Sequence, residues 1–285
     1  MKKSLGIDIG GTSAKLALLE NGQPLWTAQS PFYARPTTEQ LVAALRQTVG
    51  NRPVACDAAG ICVPGLMDRA QRMITLSVNV PGLMGVTLDE IVARGLGAGV
   101  PQPQILNDAV STATDVIAVK GLTGRVVSIA LGTGVGMGVL DDGVPLFIEG
   151  ASPGHIGQVD VTIPGDDDVI GPDNGRGSLE GYLGVPALIR RYGSTEKFLS
   201  TATTADSPIK ALVRAIRICH AIYRPAHVVL VGGIGVRLKR LANEIKSACD
   251  DHLTSVADKN WKLHFGDHDF HAALGAARLA ARSSG

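Results

Sequence analysis

Two stretches of the chain have the same construction: Ile7-Asp8-Ile9-Gly10-Gly11-Thr12 and Ile129-Ala130-Leu131-Gly132-Thr133-Gly134. Each is a short apolar run that ends in a glycine-rich turn with a threonine. Each leads into a second apolar strand and a tight turn, Glu20-Asn21-Gly22 in one case and Asp141-Asp142-Gly143 in the other. Asn-Gly and Asp-Gly between apolar runs are strong hairpin signals. Turns without β-carbons let backbone N–H groups close on phosphate oxygens, and a threonine hydroxyl adds a donor. The duplication predicts two lobes holding one polyphosphate between them.

The rest of the pattern alternates strands and helices. Strands are expected near residues 4–9, 13–20, 24–31, 54–63 and 104–106, with helices from Glu39 to Val49 and from Thr87 towards Ala93. Thr87-Leu88-Asp89-Glu90 reads as a capping box. The second half repeats the order: a hairpin at 125–149, helices near 178–192 and 208–223, a strand at His227–Val231 and a helix at 236–248. A strand at 261–265 and an Ala-rich helix from Phe270 follow. This alternation predicts an α/β fold of two lobes with a cleft between them. The expected domains are residues 1–115, joined by the last helix at 270–285, and a larger lobe at 116–269.

Composition narrows the function classes. With 27 basic and 26 acidic residues the net charge is +1, which makes no electrostatic case for nucleic acid or an anionic membrane. Met1-Lys2-Lys3-Ser4 runs into a strand without a signal-peptide core, and no apolar stretch reaches membrane-spanning length. The four cysteines, Cys56, Cys62, Cys219 and Cys249, form no CxxC pair and read as reduced thiols of a cytoplasmic protein.

Individual motifs carry chemistry of unequal weight. Asp8 stands where a strand hands over to the Gly10-Gly11-Thr12 turn, where an acid holds Mg²⁺ through water or merely caps its own turn. No GxxxxGK[ST] motif and no GxGxxG after a strand occurs. Asn107-Asp108 is the foremost catalytic pair, because a carboxylate at the end of a strand can accept the proton of an attacking hydroxyl. By spacing alone, a helix N-cap explains Asp108 better. Val231-Gly232-Gly233-Ile234-Gly235 offers flat backbone to an adenine or a ribose, or simply a close helix–strand approach. His264, Asp267, His268, Asp269 and His271 suggest a metal, but loop-like spacing favours a capped, solvated loop. Asp166-Asp167-Asp168 reads as an exposed loop.

Together these motifs resemble the ROK family (repressors, open reading frames and kinases), the sugar-kinase branch of the actin/Hsp70/hexokinase superfamily. The resemblance implies a two-lobed actin-like ATPase fold, ribonuclease H-like, with a nucleotide and sugar cleft. Asp8–Thr12 looks like the family's first phosphate motif, Leu131–Gly138 its second and Val231–Gly235 its adenosine motif. Asn107-Asp108 is similar to its Asn-Asp, whose aspartate is the general base. Val63–Asp68 and Asn79–Gly82 resemble its sugar-side loops.

The resemblance breaks at one place. The family's Gly-Glu-x-Gly-His, whose glutamate and histidine touch sugar and whose histidine also ligates zinc, corresponds to Gly154-His155-Ile156-Gly157-Gln158. Its three cysteine ligands fall on Ile170, Pro172 and Ser178, so no structural zinc is expected. Glu180, another sugar-contacting position, is retained.

The implied activity is glucokinase-like: ATP- and Mg²⁺-dependent phosphorylation of a sugar hydroxyl, the 6-OH of a hexose. Asp108 would be catalytic, with Asn79, Asn107, His155, Gln158 and Glu180 also at the sugar. Asp8, Gly10, Gly11, Thr12, Lys15, Gly132, Thr133, Gly134, Gly232 and Gly233 would serve ATP, Asp8 also serving Mg²⁺. The implied assembly is a cytoplasmic homodimer. The alternative is a catalytically weak sugar sensor or regulator of the same family. A repressor would need a DNA-binding module, and only seven residues precede Asp8.

Overall fold

A computed structural model describes residues 2–77, 79–148, 154–172 and 174–283. The chain divides into two compact units, Met1–Asp115 with Phe270–Gly285, and Val116–Asp269.

The first unit opens with β1 (Lys3–Ile9), β2 (Ala14–Glu20) and β3 (Gln23–Gln29), then α1 (Thr38–Val49) and β4 (Ala58–Cys62). A small ribbon of β5 (Leu66–Asp68) and β6 (Met73–Leu76) precedes α2 (Leu88–Leu96), β7 (Gln104–Leu106) and α3 (Asp108–Lys120). The main sheet runs β3-β2-β1-β4-β7, an antiparallel meander continued by two parallel strands. The second unit contains β8 (Arg125–Leu131), β9 (Val135–Asp141), β10 (Val144–Pro145), α4 (Leu179–Leu183), α5 (Val185–Tyr192), α6 (Thr195–Thr201) and α7 (Ser207–Tyr223). It continues with β11 (His227–Val231), α8 (Gly232–Gly235), α9 (Ala242–Asp250) and β12 (Lys262–Phe265). Its sheet, β10-β9-β8-β11-β12, repeats the order of the first. The duplicated motif is therefore a duplicated fold.

Both hairpins turn as their residues require. Asn21 and Gly22 have φ of 49° and 80°, and Asp142 and Gly143 have 47° and 76°. This left-handed pair is the two-residue turn whose twist matches that of antiparallel strands. In the first unit, Leu5, Ile7, Leu16, Leu18, Leu41, Leu45, Ile61, Leu88 and Ile91 form one buried core. In the second, Val127, Ile129, Tyr182, Phe198, Leu212, Ile216, Leu230 and Trp261 lie in another.

The final helix, α10 (His271–Ser283), belongs to the first unit and packs on β1 and β4. Small residues allow the approach: a Cβ at Gly6 would stand 1.7 Å from the Ala273 carbonyl oxygen, and one at Gly60 2.5 Å from that of Ala276. The helix is fastened to α3 by Asp115, fully buried, which accepts from Arg278 Nε at 2.7 Å and meets His271 Nδ1 at 2.8 Å. Breaking such a buried network by removing one partner typically costs about 3–5 kcal/mol.

Several boundaries differ from the sequence pattern. The strand expected from residue 54 begins at Ala58, because Asp57 turns its carboxylate to the Lys3 N–H before the ladder starts. The helix expected over 178–192 is broken at Gly184, where α5 restarts with Pro186 in its first turn. The helix expected at 236–248 opens as a 3₁₀ segment, Val236–Leu241, without a side-chain cap, and becomes regular only at Ala242. The helix from Thr87 runs to Leu96 and stops at Gly97. α6 is an addition; Ser194 caps it through the Lys197 N–H. No described helix is long and apolar enough to cross a membrane.

Candidate functional site

The candidate residues fall into two groups, one in each unit. In the first unit the parallel strands set the geometry. Asp8 on β1 is in register with Cys62 on β4, which pairs with Leu106 at the end of β7. Asn107 and Asp108 follow Leu106 directly, so both acids stand at the carboxyl ends of the parallel strands of one mixed sheet. Those ends are where open α/β sheets bind ligands.

The competition between capping and catalysis at Asp108 has a local answer. Asn107 Oδ1 accepts the Val110 N–H at 3.0 Å, and the Asn107 carbonyl accepts the Ser111 N–H. Asn107 thus caps α3, and Asp108 is the first helical residue, its Oδ1 taking the adjacent Ala109 N–H at 2.7 Å. Asp108 is solvent-exposed as a residue, yet the protein mass around its carboxyl raises its pKa, against the pull of the Ala109 N–H and of its own. Asp8 is more enclosed. Burial is the main cause lifting its pKa to about 6; Lys15 opposes this and the charge of Asp108 adds to it. Lys15 sits across the hairpin from Asp8, Nζ to Oδ2 4.0 Å.

The turn between β1 and β2 is fixed from below. Gly10 N–H donates to the Ser13 carbonyl at 3.0 Å, and Tyr33 Oη donates to the Gly10 carbonyl at 2.8 Å. Thr12 is exposed, and Gly11 is packed so that a Cβ there would stand 3.3 Å from Asn79 Cβ. The glycine turn, Asn79, Asp8 and Lys15 therefore form one neighbourhood. Sequence reasoning missed Tyr33, which offers no signal beyond being one of two adjacent aromatics, Phe32 and Tyr33, in a loop between Pro31 and Pro36.

In the second unit the turn between β8 and β9 is held by the α4–α5 segment. Gly132 N–H donates to the Gly134 carbonyl, and Val185 N–H donates to the Gly132 carbonyl, both at 3.0 Å. Glu180 Oε2 accepts the Val135 N–H at 2.9 Å. A Cβ at Gly134 would lie 2.9 Å from the same oxygen, and one at Gly157 3.1 Å. Glu180 therefore touches both the glycine turn and the His155–Gln158 loop. His155 and Gln158 are exposed, Thr133 likewise. Gly232, at the end of β11, closes on the Leu131 carbonyl, where a Cβ would stand 2.4 Å away, while Gly233 faces open space.

The residues that the family resemblance aligns with zinc ligands do not fit that metal. Ser178 Oγ caps α4 by accepting the Gly181 N–H, Ile170 is an exposed aliphatic, and Pro172 has no donor. Gln158 lies nearby, its Oε1 3.4 Å from where a Gly175 Cβ would be. No thiolate or imidazole stands at any of the four positions, and structural zinc requires such ligands.

The histidine-rich stretch is paired rather than simply solvated. His264 Nε2 meets His227 Nδ1 at 3.1 Å, Asp267 meets Lys120 at 3.6 Å, and His271 belongs to the Asp115 network. Asp166 likewise departs from the exposed-loop reading, forming a two-pronged ion pair with Arg191 at 2.6 and 3.1 Å.

Comparison with known proteins adds to this geometry. The ROK family profile matches residues 4–283. An N-acetylmannosamine kinase of Vibrio cholerae is 27% identical over 168 residues, 57% of this chain and 56% of that protein. The chain thus spans about half the length of the curated relatives it matches. A ROK hexokinase from Thermus thermophilus superposes with a TM-score of 0.75 at 22% identity, covering 99% of this chain and 98% of that one. A ROK family glucokinase from Streptomyces griseus, solved with glucose and AMPPNP, gives 0.72 at 20% identity, with 98% and 99% covered. At these identities the likeness is one of fold.

Proposed function

The chain belongs to the ROK family, and from that premise we propose that it transfers the γ-phosphoryl group of ATP to a sugar hydroxyl, the 6-OH of a hexose. The observation that carries this reading is the division of labour at Asn107-Asp108. Asn107 caps α3, leaving one carboxylate oxygen of Asp108 for a substrate hydroxyl at the carboxyl edge of the sheet. A carboxylate so placed orients the hydroxyl and accepts its proton as the phosphorus–oxygen bond forms. Its raised pKa brings it closer to the range of an effective base.

Asn79 and Asn107 in the first unit, and His155, Gln158 and Glu180 in the second, are proposed sugar contacts. The relative from Vibrio cholerae carries the name of an N-acetylmannosamine kinase, and the Streptomyces griseus enzyme binds glucose, so hexoses and their N-acetyl derivatives head the candidates. Gly10, Gly11, Thr12 and Lys15, and separately Gly132, Thr133 and Gly134, are proposed to bind phosphate. Gly232 and Gly233 offer backbone to the adenosine. Asp8, an enclosed carboxylate offset by Lys15 only at 4.0 Å, has the donor chemistry to hold Mg²⁺ through water. When bound, that ion supplies charge neutralisation to the phosphates. A cytoplasmic homodimer completes the proposal.

The test is ADP release measured over a panel of N-acetylmannosamine, mannose, glucose and N-acetylglucosamine, with the product ester located by NMR. Saturable release with one sugar and a 6-phosphate product supports the reading. Sugar binding without ADP release above background across the panel would instead identify a sensor.

A further inference from the structure

We propose that Tyr33 is a positioning residue for the first glycine turn, holding Gly10–Thr12 in the conformation that receives phosphate. The inference rests on the reading of that turn as a phosphate cradle. It concerns a residue outside every motif so far described.

Tyr33 lies in the loop after β3 and grips the turn at two points. Its Oη donates to the Gly10 carbonyl at 2.8 Å, and its backbone N–H donates to the Thr12 carbonyl at 2.9 Å. Its ring packs against the first unit's core, which anchors the clamp. The neighbouring residues extend the grip. Ser30 Oγ accepts the Ala14 N–H at 2.9 Å, Ser30 N–H donates to the Ala14 carbonyl, and Gln29 Nε2 reaches Ser13 Oγ at 3.1 Å. The carbonyls of Gly10, Thr12 and Ala14 are thus occupied.

The consequence follows from how such turns bind anions. A glycine-rich turn binds phosphate through N–H groups that must point the same way, and glycine has the greatest freedom to let them point elsewhere. Tying the Gly10 and Thr12 carbonyls to Tyr33 opposes rotation of the peptides that follow them, so binding loses less conformational entropy. The hydroxyl is a donor at neutral pH, as a phenol with a pKa of about 10 or above is protonated there. Tyr33 therefore acts through Gly10 and Thr12 and touches no reacting atom.

Tyr33→Phe removes the hydroxyl and keeps the ring. Loss of one net hydrogen bond predicts a rise of about three- to tenfold in the KM for ATP. KM for the sugar should hold, the melting temperature should fall by no more than one part-buried hydrogen bond is worth, and amide hydrogen exchange over Gly10–Ser13 should quicken in the ligand-free variant. A purely structural role would lower the melting temperature and leave the ratio of the two KM values unchanged. Should Tyr33→Phe fold poorly, Ser30→Ala offers a second readout, with the same selective rise in the ATP KM expected. Wild-type protein that neither binds nor turns over ATP would overturn the cradle and this role together. Wild-type protein that uses ATP, with variants within twofold of it and exchange unaltered, would overturn the role of Tyr33 alone.

Discussion

Glu180 Oε2 accepts the Val135 N–H at 2.9 Å, tying the first turn of α4 to the glycine turn between β8 and β9. The same oxygen lies against Gly134 and Gly157, so one carboxylate joins the proposed phosphate turn to the His155–Gln158 loop. Glu180→Ala should leave the Val135 donor unpaired and lower stability by about 1–3 kcal/mol. Glu180→Gln keeps a carbonyl acceptor and should fold normally, yet raise the sugar KM about tenfold through loss of the charged acceptor. Equal KM values in wild type and Glu180→Gln would restrict Glu180 to the structural half of this role.

The proposed base makes a sharper prediction. Asp108→Asn preserves size and an acceptor for the Ala109 N–H, and leaves the Asn107 cap in place. Turnover should fall on the order of 10²-fold or more, with ATP binding little changed. Steady-state kinetics and calorimetric titration of ATP separate the two. Near-normal turnover would remove Asp108 from the chemistry.

Zinc should be dispensable. The family resemblance places Gln158, Ile170, Pro172 and Ser178 at the ligand positions, and Ser178 is already engaged in capping α4. Elemental analysis of carefully prepared protein should find no stoichiometric zinc, and chelator should leave the melting temperature unchanged. One tightly held equivalent whose removal melts the protein would contradict this account.

Much of the architecture was legible because it was stated twice in local signals. Asn21-Gly22 and Asp142-Gly143 each demand a two-residue turn, and the apolar runs beside them can only be strands of one hairpin. Breaks set by tertiary contacts were not legible. Gly184 interrupts a helical pattern because α5 must bring Val185 N–H to the Gly132 carbonyl, a partner 53 positions earlier in the sequence (185 − 132). At the candidate site, Asp108 showed in the sequence as an acid at a strand end, but its freedom from capping depends on the rotamer of Asn107. Tyr33 was silent altogether, since its contact with Gly10 is created by the path of a loop.

Acid should weaken the second unit through His220. The ring is 2% exposed, packs edge-on to Trp261 at 4.6 Å, and neither nitrogen has a hydrogen-bond partner among the described residues. Burial pulls its pKa from 6.5 to about 4. The unfolded chain therefore binds a proton between these values that the folded chain refuses. Stability from this group is complete above about pH 6.5 and is lost as pH falls towards about 4, up to about 3 kcal/mol. His220→Phe keeps the contact with Trp261 and removes the titration. Urea unfolding from pH 4.5 to 7.5 should show the variant gaining on wild type as pH falls. Parallel curves would mean that the ring is protonated in the fold.

Specificity should turn on His155, which the family resemblance places at the position of a sugar-gripping glutamate. Its loop touches Glu180 through Gly157, so His155 lies in the same loop as a neighbour of that proposed sugar contact. A neutral imidazole donates from one nitrogen and accepts at the other, whereas a carboxylate only accepts. An unpaired polar group in a closed sugar pocket is costly, so this exchange changes which hydroxyl pattern is tolerated. His155→Glu, alone or with Gln158→His, should shift relative kcat/KM between hexoses by about 1–3 kcal/mol of transition-state discrimination. Asp8, Asp108 and the glycine turns are untouched, so the ATP KM should hold. A sugar ranking unchanged in both variants would place His155 outside the pocket and assign the selectivity to Asn79 and Glu180.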